Sequence, residues 1–182
     1  MKYKYSPHRK KFSSTLKFAA VAAVSVAVVV IVVLYVQGQL PVPMPIITGL
    51  STAGYEQVVV DAALVNGYGI VGLESECYQL IANVEGYQAE SIIAGLEGIV
   101  PERPNSHDIV VDAFNNLGIE VLMVKITDAK NDTFYGNIIL RNGNRIASLD
   151  ARPSDATAIA VRMNVPIYVK EEVMKEYGEY IC

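Results

Sequence analysis

The sequence predicts an α+β domain with a mixed, largely antiparallel sheet and packed helices, preceded by one transmembrane helix. Three observations support this fold class. Strand-like and amphipathic helical segments are mixed along residues 55–182, tight turns join three strand-like segments in the middle, and residues 18–36 form one uncharged apolar run. With 182 residues, of which 52% are hydrophobic, the chain can form one core and is too apolar for a disordered protein.

The first half of the domain predicts two strands and a helix. Residues 55–65 are rich in β-branched valine and predict a strand, and residues 77–84 predict a second one. Between them, glycines at positions 67, 69 and 72 predict a turn. Apolar residues recur at helical spacing across 88–98, which predicts an amphipathic helix.

The second half predicts helices on either side of three antiparallel strands. Ser106 is the expected N-cap of a helix that ends before Gly118, and Ser154 or Asp155 is the expected start of another. Asn131-Asp132 and Asn142-Gly143 are turn signals between strands. The expected elements are helix 106–117, strands 119–127, 133–141 and 145–150, helix 154–163, strand 166–169 and helix 171–177.

The apolar run at residues 18–36 predicts a membrane-spanning helix in contact with lipid. Its 19 residues carry no charge, and as a helix they would extend about 28 Å, close to the hydrocarbon thickness of a bilayer. A cleaved signal peptide is the alternative, although its apolar core is usually shorter. Residues 1–17 contain six Lys and Arg and no acidic residue. The positive-inside rule therefore predicts a cytoplasmic N-terminus and an extracytoplasmic C-terminal domain.

Residues 37–54 predict an extended linker, because prolines at positions 41, 43 and 45 disfavour both helix and sheet. The domain then covers residues 55–182. Beyond residue 38 the chain has nine Lys and Arg against 19 Asp and Glu, a net charge of −10. This balance opposes non-specific binding of nucleic acid, which depends on neutralising phosphates.

The densest polar segment is Asp150-Ala151-Arg152-Pro153-Ser154-Asp155, between a predicted strand and a predicted helix. A helix N-terminus attracts an anion such as phosphate, and Arg152 can bind phosphate through two hydrogen bonds. Asp150 and Asp155 can hold a divalent cation such as Mg²⁺ or position a water molecule. The structural alternative is an ordinary helix cap with an ion pair between Asp150 and Arg152.

A second polar segment, residues 103–108 (RPNSHD), also precedes a predicted helix. It contains His107, the only histidine outside the basic flank. A histidine titrates near neutral pH and can transfer protons. The alternative is a capping or surface histidine, with Asp108 complementing the helix dipole.

Motifs for other chemistries are missing from the sequence. It contains no GxGxxG, P-loop, HExxH or GxSxG motif. Two cysteines exclude a disulfide-rich scaffold and a four-cysteine zinc site. Cys77 and Cys182 can form a disulfide in an oxidising compartment, and a free thiol at Cys182 is an equal alternative.

Three ordered segments resemble the bifunctional nuclease family. They are GYQAESIIAGLEGIVPERPNSHDIVVDAFNNLG, ITDAKNDTFYGNIIL and ASLDARPSDATAIAVRMNVPIYV, which begin at residues 86, 126 and 147. The resemblance runs from about Tyr55 to Tyr177. It departs from the family pattern at Ser106 and Ile109, where the family usually has Thr and Leu, and in the added membrane segment.

The resemblance implies a compact α+β domain, often a homodimer, and nuclease activity on RNA and DNA. The family's polar motif positions correspond to Arg103, His107, Asp108, Tyr135, Asp150, Arg152, Ser154 and Asp155. All of them except Tyr135, which comes with the TFY motif, lie in the two polar segments found from the residues alone, which indicates one shared pocket.

These positions suggest a hydrolytic mechanism for phosphodiester bonds. In this hypothesis Arg103, Arg152, Ser154 and Tyr135 bind substrate, Asp150 and Asp155 orient water with or without Mg²⁺, and His107, held by Asp108, acts as general base or acid. The alternative function is a membrane-tethered binding or regulatory module that does not catalyse a reaction. A cleft lined by both polar segments favours the enzyme, and segments confined to helix caps and ion pairs favour the module.

Overall fold

The computed structural model describes residues 23–30, 32–34, 50–131 and 133–182. The chain divides into two units, Met1–Pro45 and Ile46–Cys182. In the first unit, residues 23–30 and 32–34 are helical. Among the described residues, no helix is both long enough and apolar enough to cross a bilayer. The basic flank at 1–17, both ends of the expected membrane helix at 18–36, and residues 37–49 of the expected linker lie outside the described residues.

The second unit is an α+β domain, as the sequence predicts. Its elements, in chain order, are β1 (Tyr55–Val65), β2 (Tyr68–Glu74), β3 (Tyr78–Glu85), α1 (Gly86–Leu96), α2 (Ser106–Asn116), β4 (Glu120–Lys130), β5 (Thr133–Asn142), β6 (Arg145–Ala151), α3 (Pro153–Met163), β7 (Ile167–Lys170), α4 (Glu171–Tyr177) and β8 (Glu179–Tyr180).

The strands form one eight-stranded sheet in the order β6-β5-β4-β7-β1-β2-β3-β8. Strands β4 and β7 are parallel, and the other described neighbours are antiparallel. The mixed, largely antiparallel sheet is therefore confirmed. Strand β7 joins the two halves of the sheet, because it pairs with β1 on one side and β4 on the other.

Strand β2 corrects the turn predicted from three glycines. Only Gly67 lies in the turn, where its φ of 84° favours glycine. Gly69 lies within β2 at a point where helix α1 packs closely on the strand. A Cβ at this position would lie 2.5 Å from the Cβ of Ala89. A close contact, rather than a turn, therefore requires this glycine.

Helices α1 and α3 pack against each other and cover the sheet. Ala156, Ala158 and Ala160 of α3 are fully buried, and the two helices approach closely at Gly95 of α1, where a Cβ would lie 2.6 Å from Val161 of α3. Larger side chains such as Ile92 fill the core between these helices and the strands. Each large apolar side chain buried in this way contributes about 1.5–3 kcal/mol. This packing holds the start of α3 in a fixed position beside α1 and α2.

Two helices have N-caps other than those predicted from the sequence. The N-cap of α2 is Asn105 rather than Ser106, and its side chain accepts from the N–H groups of His107 and Asp108. The N-cap of α3 is Arg152, and Pro153 follows at the first helical position, where a missing N–H costs nothing. Helix α3 has no side-chain cap. The first backbone N–H groups of α3 therefore receive no hydrogen bond from an N-cap side chain, whereas in α2 the Asn105 side chain accepts from two of them.

The two cysteines form a disulfide, which settles the alternative left open by the sequence. Cys77 and Cys182 are joined, with their Cα atoms 5.0 Å apart and 105 positions apart in the chain. The bond lies beside the short pairing of β3 with β8. It fastens the end of the described chain to the start of β3.

Candidate active site

The two polar segments meet where helices α2 and α3 begin. The Nε2 atom of His107 lies 3.3 Å from Oδ1 of Asp155, although the residues are 48 positions apart. His107 is in the first turn of α2 and Asp155 in the first turn of α3. The two polar segments are therefore in direct contact through His107 and Asp155.

Arg152 binds the same carboxylate from the solvent side. Its Nε donates to Oδ2 of Asp155 at 2.7 Å, and its Nη2 donates to Oδ1 at 3.2 Å. The hydrogen bond to Asp155, the charge of Asp155 and a hydrogen bond to Tyr87 raise the pKa of Arg152 above its ordinary value. The Arg152 side chain is 65% exposed, against 27% for Asp155. A ligand can therefore reach the guanidinium directly.

Ser91 of helix α1 holds the other side of the imidazole. Its Oγ lies 2.9 Å from Nδ1 of His107. The same oxygen accepts from Nδ2 of Asn105 at 3.2 Å and from Nη2 of Arg162 at 3.1 Å. Because both of these groups only donate, the hydroxyl proton of Ser91 is directed to Nδ1. In the neutral imidazole the proton is therefore on Nε2, and this N–H donates a hydrogen bond to the carboxylate of Asp155.

The helix cap fixes the amide orientation on which this assignment depends. The Oδ1 atom of Asn105 accepts from the backbone N–H groups of His107 and Asp108 at 2.8 and 3.1 Å. A flipped amide would put two donors against these N–H groups. The Nδ2 atom must therefore face Ser91.

Asp108 pairs with Arg162 and the start of α2, and it does not hold the imidazole of His107. Its Oδ1 accepts from Nε of Arg162 at 2.7 Å, and its Oδ2 accepts from the N–H of Asn105 at 2.8 Å. Burial raises the pKa of Asp108, but the hydrogen bonds from Arg162 and Asn105 and the charges of Arg162 and His107 outweigh it, so the pKa lies below its ordinary value. Both side chains of this ion pair are buried. The contacts of His107 are instead with Ser91 and Asp155.

Two cavities border Arg152. One has a volume of about 430 Å³ and is lined by His107, Asp155, Ser91 and Arg152 among others. The second has a volume of about 500 Å³ and is lined by Arg152 and Ser154 together with residues of β2, β3 and β5. We call them the histidine cavity and the apolar cavity. Arg152 is common to both, so a molecule bound to its guanidinium can extend into either.

The remaining predicted site residues lie apart from His107. Ser154 lines the apolar cavity and accepts from Nε2 of Gln88 at 2.8 Å. Arg103 is exposed in the loop before α2. Tyr135 lies on β5, where a Lys130 ammonium is 5.9 Å from its ring. Asp150 is exposed on β6, opposite Asn137 of β5. Neither cavity beside Arg152 is lined by Arg103, Tyr135 or Asp150.

The residues around Asp155 do not fit the magnesium site predicted at Asp150 and Asp155. Asp155 accepts from Arg152 at both oxygens, so a cation would have to displace a guanidinium. Asp150 does not line the cavity that Asp155 lines. Over the described ranges, no three His, Cys, Asp or Glu side chains are grouped so that they could hold a metal ion.

Three residues of this network were not predicted from the sequence: Ser91, Asn105 and Arg162. Asn105 could have been found, because asparagine directly before a helix is a strong N-cap signal. Arg162 lies inside the segment from residue 147 that resembles the family, yet its partner Asp108 is 54 positions away. Ser91 is one polar residue on a helix, and no local signal distinguishes it.

Comparison with known proteins gives the family. A family model described as the bifunctional nuclease domain matches residues 73–181, which include both polar segments. An uncharacterized protein of Mycobacterium tuberculosis is 40% identical over 91 residues, covering 50% of this chain and 54% of that protein. Bifunctional nuclease 1 of Oryza sativa subsp. japonica is 33% identical over 90 residues, covering 48% of this chain and 27% of that protein.

A second plant protein gives the same result. Bifunctional nuclease 1 of Arabidopsis thaliana is 30% identical over 83 residues, covering 44% of this chain and 26% of that protein. The chain spans about half the length of the mycobacterial relative and about a quarter of the plant relatives. Since the family model matches more than half of the chain, this protein belongs to the bifunctional nuclease domain family.

Proposed function

We propose that the protein hydrolyses phosphodiester bonds in RNA, DNA or both at the His107–Asp155–Arg152 cluster. One observation carries the proposal: a hydrogen-bonding imidazole, a carboxylate and an exposed guanidinium line the same cavity. Two further findings support it: the plant relatives are named bifunctional nucleases, and the chain belongs to the bifunctional nuclease domain family. Each of the three groups has a distinct task in attack by water on a phosphodiester.

Arg152 binds the scissile phosphate. In the unliganded protein its guanidinium is bound to Asp155, and a phosphate has the same two-oxygen geometry as a carboxylate. Substrate binding therefore moves the guanidinium from Asp155 to the phosphate. The uncapped N-terminus of α3 adds partial positive charge beside it.

Asp155 then becomes the base that activates water. Once Arg152 has moved, Oδ2 is free to accept a proton from the attacking water, while Oδ1 still accepts from Nε2 of His107. Ser91 keeps the proton of His107 on Nε2, so the imidazole donates a hydrogen bond and holds the carboxylate in place. His107 thus acts by orienting the Asp155 carboxylate. The leaving oxygen takes its proton from solvent, which reaches the exposed Arg152.

The test measures cleavage of labelled RNA and DNA oligonucleotides by the full-length chain, with and without EDTA. Arg152→Gln should lower the rate about a hundredfold. The matched control is Arg141→Gln, because Arg141 forms an exposed ion pair with Glu120 away from both cavities. The magnesium version of the mechanism instead requires EDTA and Asp150→Asn to abolish cleavage. Equal rates for Arg152→Gln and Arg141→Gln would contradict the proposed site.

The net charge of the domain predicts how substrate binding depends on salt. Beyond residue 38 the charge is −10, so Arg152 supplies local attraction against overall repulsion. Each neutralised phosphate contributes roughly 0.7–0.9 to the slope of log affinity against log salt. We therefore expect a slope of about one, rather than the steep dependence of proteins that bind many phosphates.

A non-catalytic binding module is the second candidate function. The observation in its favour is the confinement of Asp108 and Asn105 to a cap and a buried ion pair. Such a module would bind an oligonucleotide or phosphate at Arg152 without cleaving it. Binding that is lost in Arg152→Gln, together with no cleavage by the wild-type chain, would favour the module over the nuclease.

We further propose that residues 18–36 anchor the protein in a membrane as a single pass, with the domain on the extracytoplasmic side, and that the domain forms a homodimer. The charge-free run and the basic flank support the anchor. Alkaline carbonate extraction of membranes should leave the full chain in the pellet. Light scattering of detergent-solubilised protein should give twice the chain mass.

A further inference from the structure

We propose that the apolar cavity is the binding site for a nucleobase next to the phosphate held by Arg152. The proposal rests on the proposed function, because it places a nucleotide phosphate at Arg152. Arg152 lines this cavity as well as the histidine cavity, whereas His107 lines only the histidine cavity. The apolar cavity has a volume of about 500 Å³. This volume lies in the range of ordinary small-molecule sites.

The walls of this cavity suit a flat aromatic ligand. Val71, Leu73 and Leu80 form a buried apolar floor on β2 and β3. Two aromatic side chains also line the cavity, Phe134 of β5 and Tyr68 of β2, and Tyr68 is 72% exposed. Every nucleobase can stack on such aromatic side chains, whatever the nucleotide sequence. An aliphatic lipid chain would match the floor but would gain nothing from the polar groups beside Arg152.

Polar groups at the Arg152 end give the cavity its orientation. The Oγ atom of Ser154 accepts from Nε2 of Gln88. In the described part of the chain, no contact gives the hydroxyl proton of Ser154 an acceptor, so it is available to a ligand. The Oε1 atom of Gln88 accepts from the N–H of Glu85, which fixes the amide that holds Ser154. Ser154 can therefore donate to a ring nitrogen or carbonyl of a base.

The position of Arg152 connects the base site to the reacting bond. Arg152 lines both cavities, so a phosphate on its guanidinium has water activated on the Asp155 side and a base on the Ser154 side. This arrangement predicts that the base contributes to substrate affinity and positioning, while the chemical step depends on His107 and Asp155. Loss of the base site should thus raise KM more than it lowers kcat.

Binding is measured on the full-length chain with a trideoxynucleotide whose central base is 2-aminopurine and whose linkages are phosphorothioates. Stacking in the cavity should quench the 2-aminopurine fluorescence. A trinucleotide with an abasic centre and the same charge is the competitor, and it should bind at least tenfold more weakly. Equal affinity of the two trinucleotides would overturn the proposal.

Two variants test the site within the cavity. Ala82→Leu places extra volume into the cavity. Its matched control is Ala63→Leu, since Ala63 is also a strand alanine and neither it nor its β2 partner Ile70 lines the cavity. Ala82→Leu should weaken 2-aminopurine binding at least tenfold, and Ala63→Leu should leave it unchanged. Phe134→Leu is the second variant if Ala82→Leu does not fold. Wild-type affinity in folded Ala82→Leu or Phe134→Leu would overturn the proposal.

Cleavage of the two trinucleotides with ordinary phosphodiester linkages separates this proposal from the proposed function. Cleavage of both, with the abasic one showing a KM at least tenfold higher, supports both. No cleavage of either, with quenching that still depends on Ala82, contradicts the nuclease and retains the base site. Cleavage of both with the same KM contradicts the base site and retains the nuclease.

Discussion

Two arginine–aspartate pairs lie close together, and they differ mainly in burial. Arg162 and Asp108 are joined at 2.7 Å with side chains 7% and 5% exposed. Arg152 and Asp155 are also joined at 2.7 Å, with side chains 65% and 27% exposed. A buried pair cannot exchange its partner without leaving an unpaired charge in the interior. An exposed pair exchanges at little cost, since water solvates the released group.

The helix starts beside these pairs show the same difference. At α2 the side chain of Asn105 and the carboxylate of Asp108 complete a capping box. At α3 no side chain caps the helix. The first pair and its cap therefore maintain the structure, and the second pair leaves an arginine and a helix N-terminus available to a ligand.

The largest expected effect is on folding, at the buried pair. Asp108→Asn should lower the free energy of unfolding by about 3–5 kcal/mol, because it leaves the buried Arg162 guanidinium without a counter-charge. Asp155→Asn should change it by about 1 kcal/mol or less, since its pair is exposed. Urea unfolding followed by circular dichroism measures both. Similar losses in the two variants would remove the distinction between the pairs.

The second expected effect is on turnover, at the exposed pair. Arg152→Lys keeps the charge but loses the two-pronged geometry that a phosphate needs, so kcat/KM should fall about tenfold to a hundredfold. Arg141→Lys is the matched exposed control. Steady-state kinetics on a labelled oligonucleotide give the ratio, and an unchanged ratio would mean that Arg152 does not bind phosphate.

The third expected effect is on the pH dependence of stability, and it comes from the buried pair. In the unfolded chain Asp108 titrates at its ordinary pKa of 3.8, and in the folded chain its pKa is lower. The stabilisation is therefore complete above 3.8 and is lost as the pH falls through the folded-state pKa. Asp108→Asn should thus lose less stability than the wild type between about pH 4 and pH 2. If Asp108 made no contribution, the urea midpoints of the wild type and of Asp108→Asn would fall equally steeply with pH across this range.

The smallest expected effect concerns the serine between the two pairs. Ser91→Ala removes the proton donor to Nδ1 of His107, so part of the imidazole should adopt the other tautomer, and kcat should fall about tenfold. Nitrogen-15 chemical shifts of His107 report the tautomer directly. Ser91→Thr keeps the hydroxyl and should restore both the tautomer and the rate. Wild-type shifts in Ser91→Ala would contradict the assignment.

Local patterns predict most of the fold. Three patterns each predict their element to within a few residues of its observed bounds. They are the valines of residues 55–65, the Asn142-Gly143 turn and the apolar spacing of α1. Strand β2 was missed because Gly69 and Gly72 look like turn residues, whereas Gly69 is required by the packing of Ala89 in α1. That reason lies in another element and cannot be seen locally.

The candidate site was predictable to a smaller extent. The segments containing His107 and Asp155 are recognisable, and the structure brings them into contact. The different tasks of Asp108 and Asp155 were not predictable, because both are acidic residues in the first turn of a helix. Only burial and the position of Arg162 distinguish them. The displacement of Asp150 from the site likewise depends on the pairing of β6 with β5.

We expect the exposed Arg152–Asp155 pair to act in catalysis and the buried Arg162–Asp108 pair to maintain the fold. The most direct test is the single-turnover cleavage rate of a labelled RNA oligonucleotide by the full-length Asp155→Asn variant, in the presence of EDTA. We expect a rate about a hundredfold below that of the wild-type chain, with the melting temperature nearly unchanged. A rate equal to the wild type in a folded Asp155→Asn protein would contradict it.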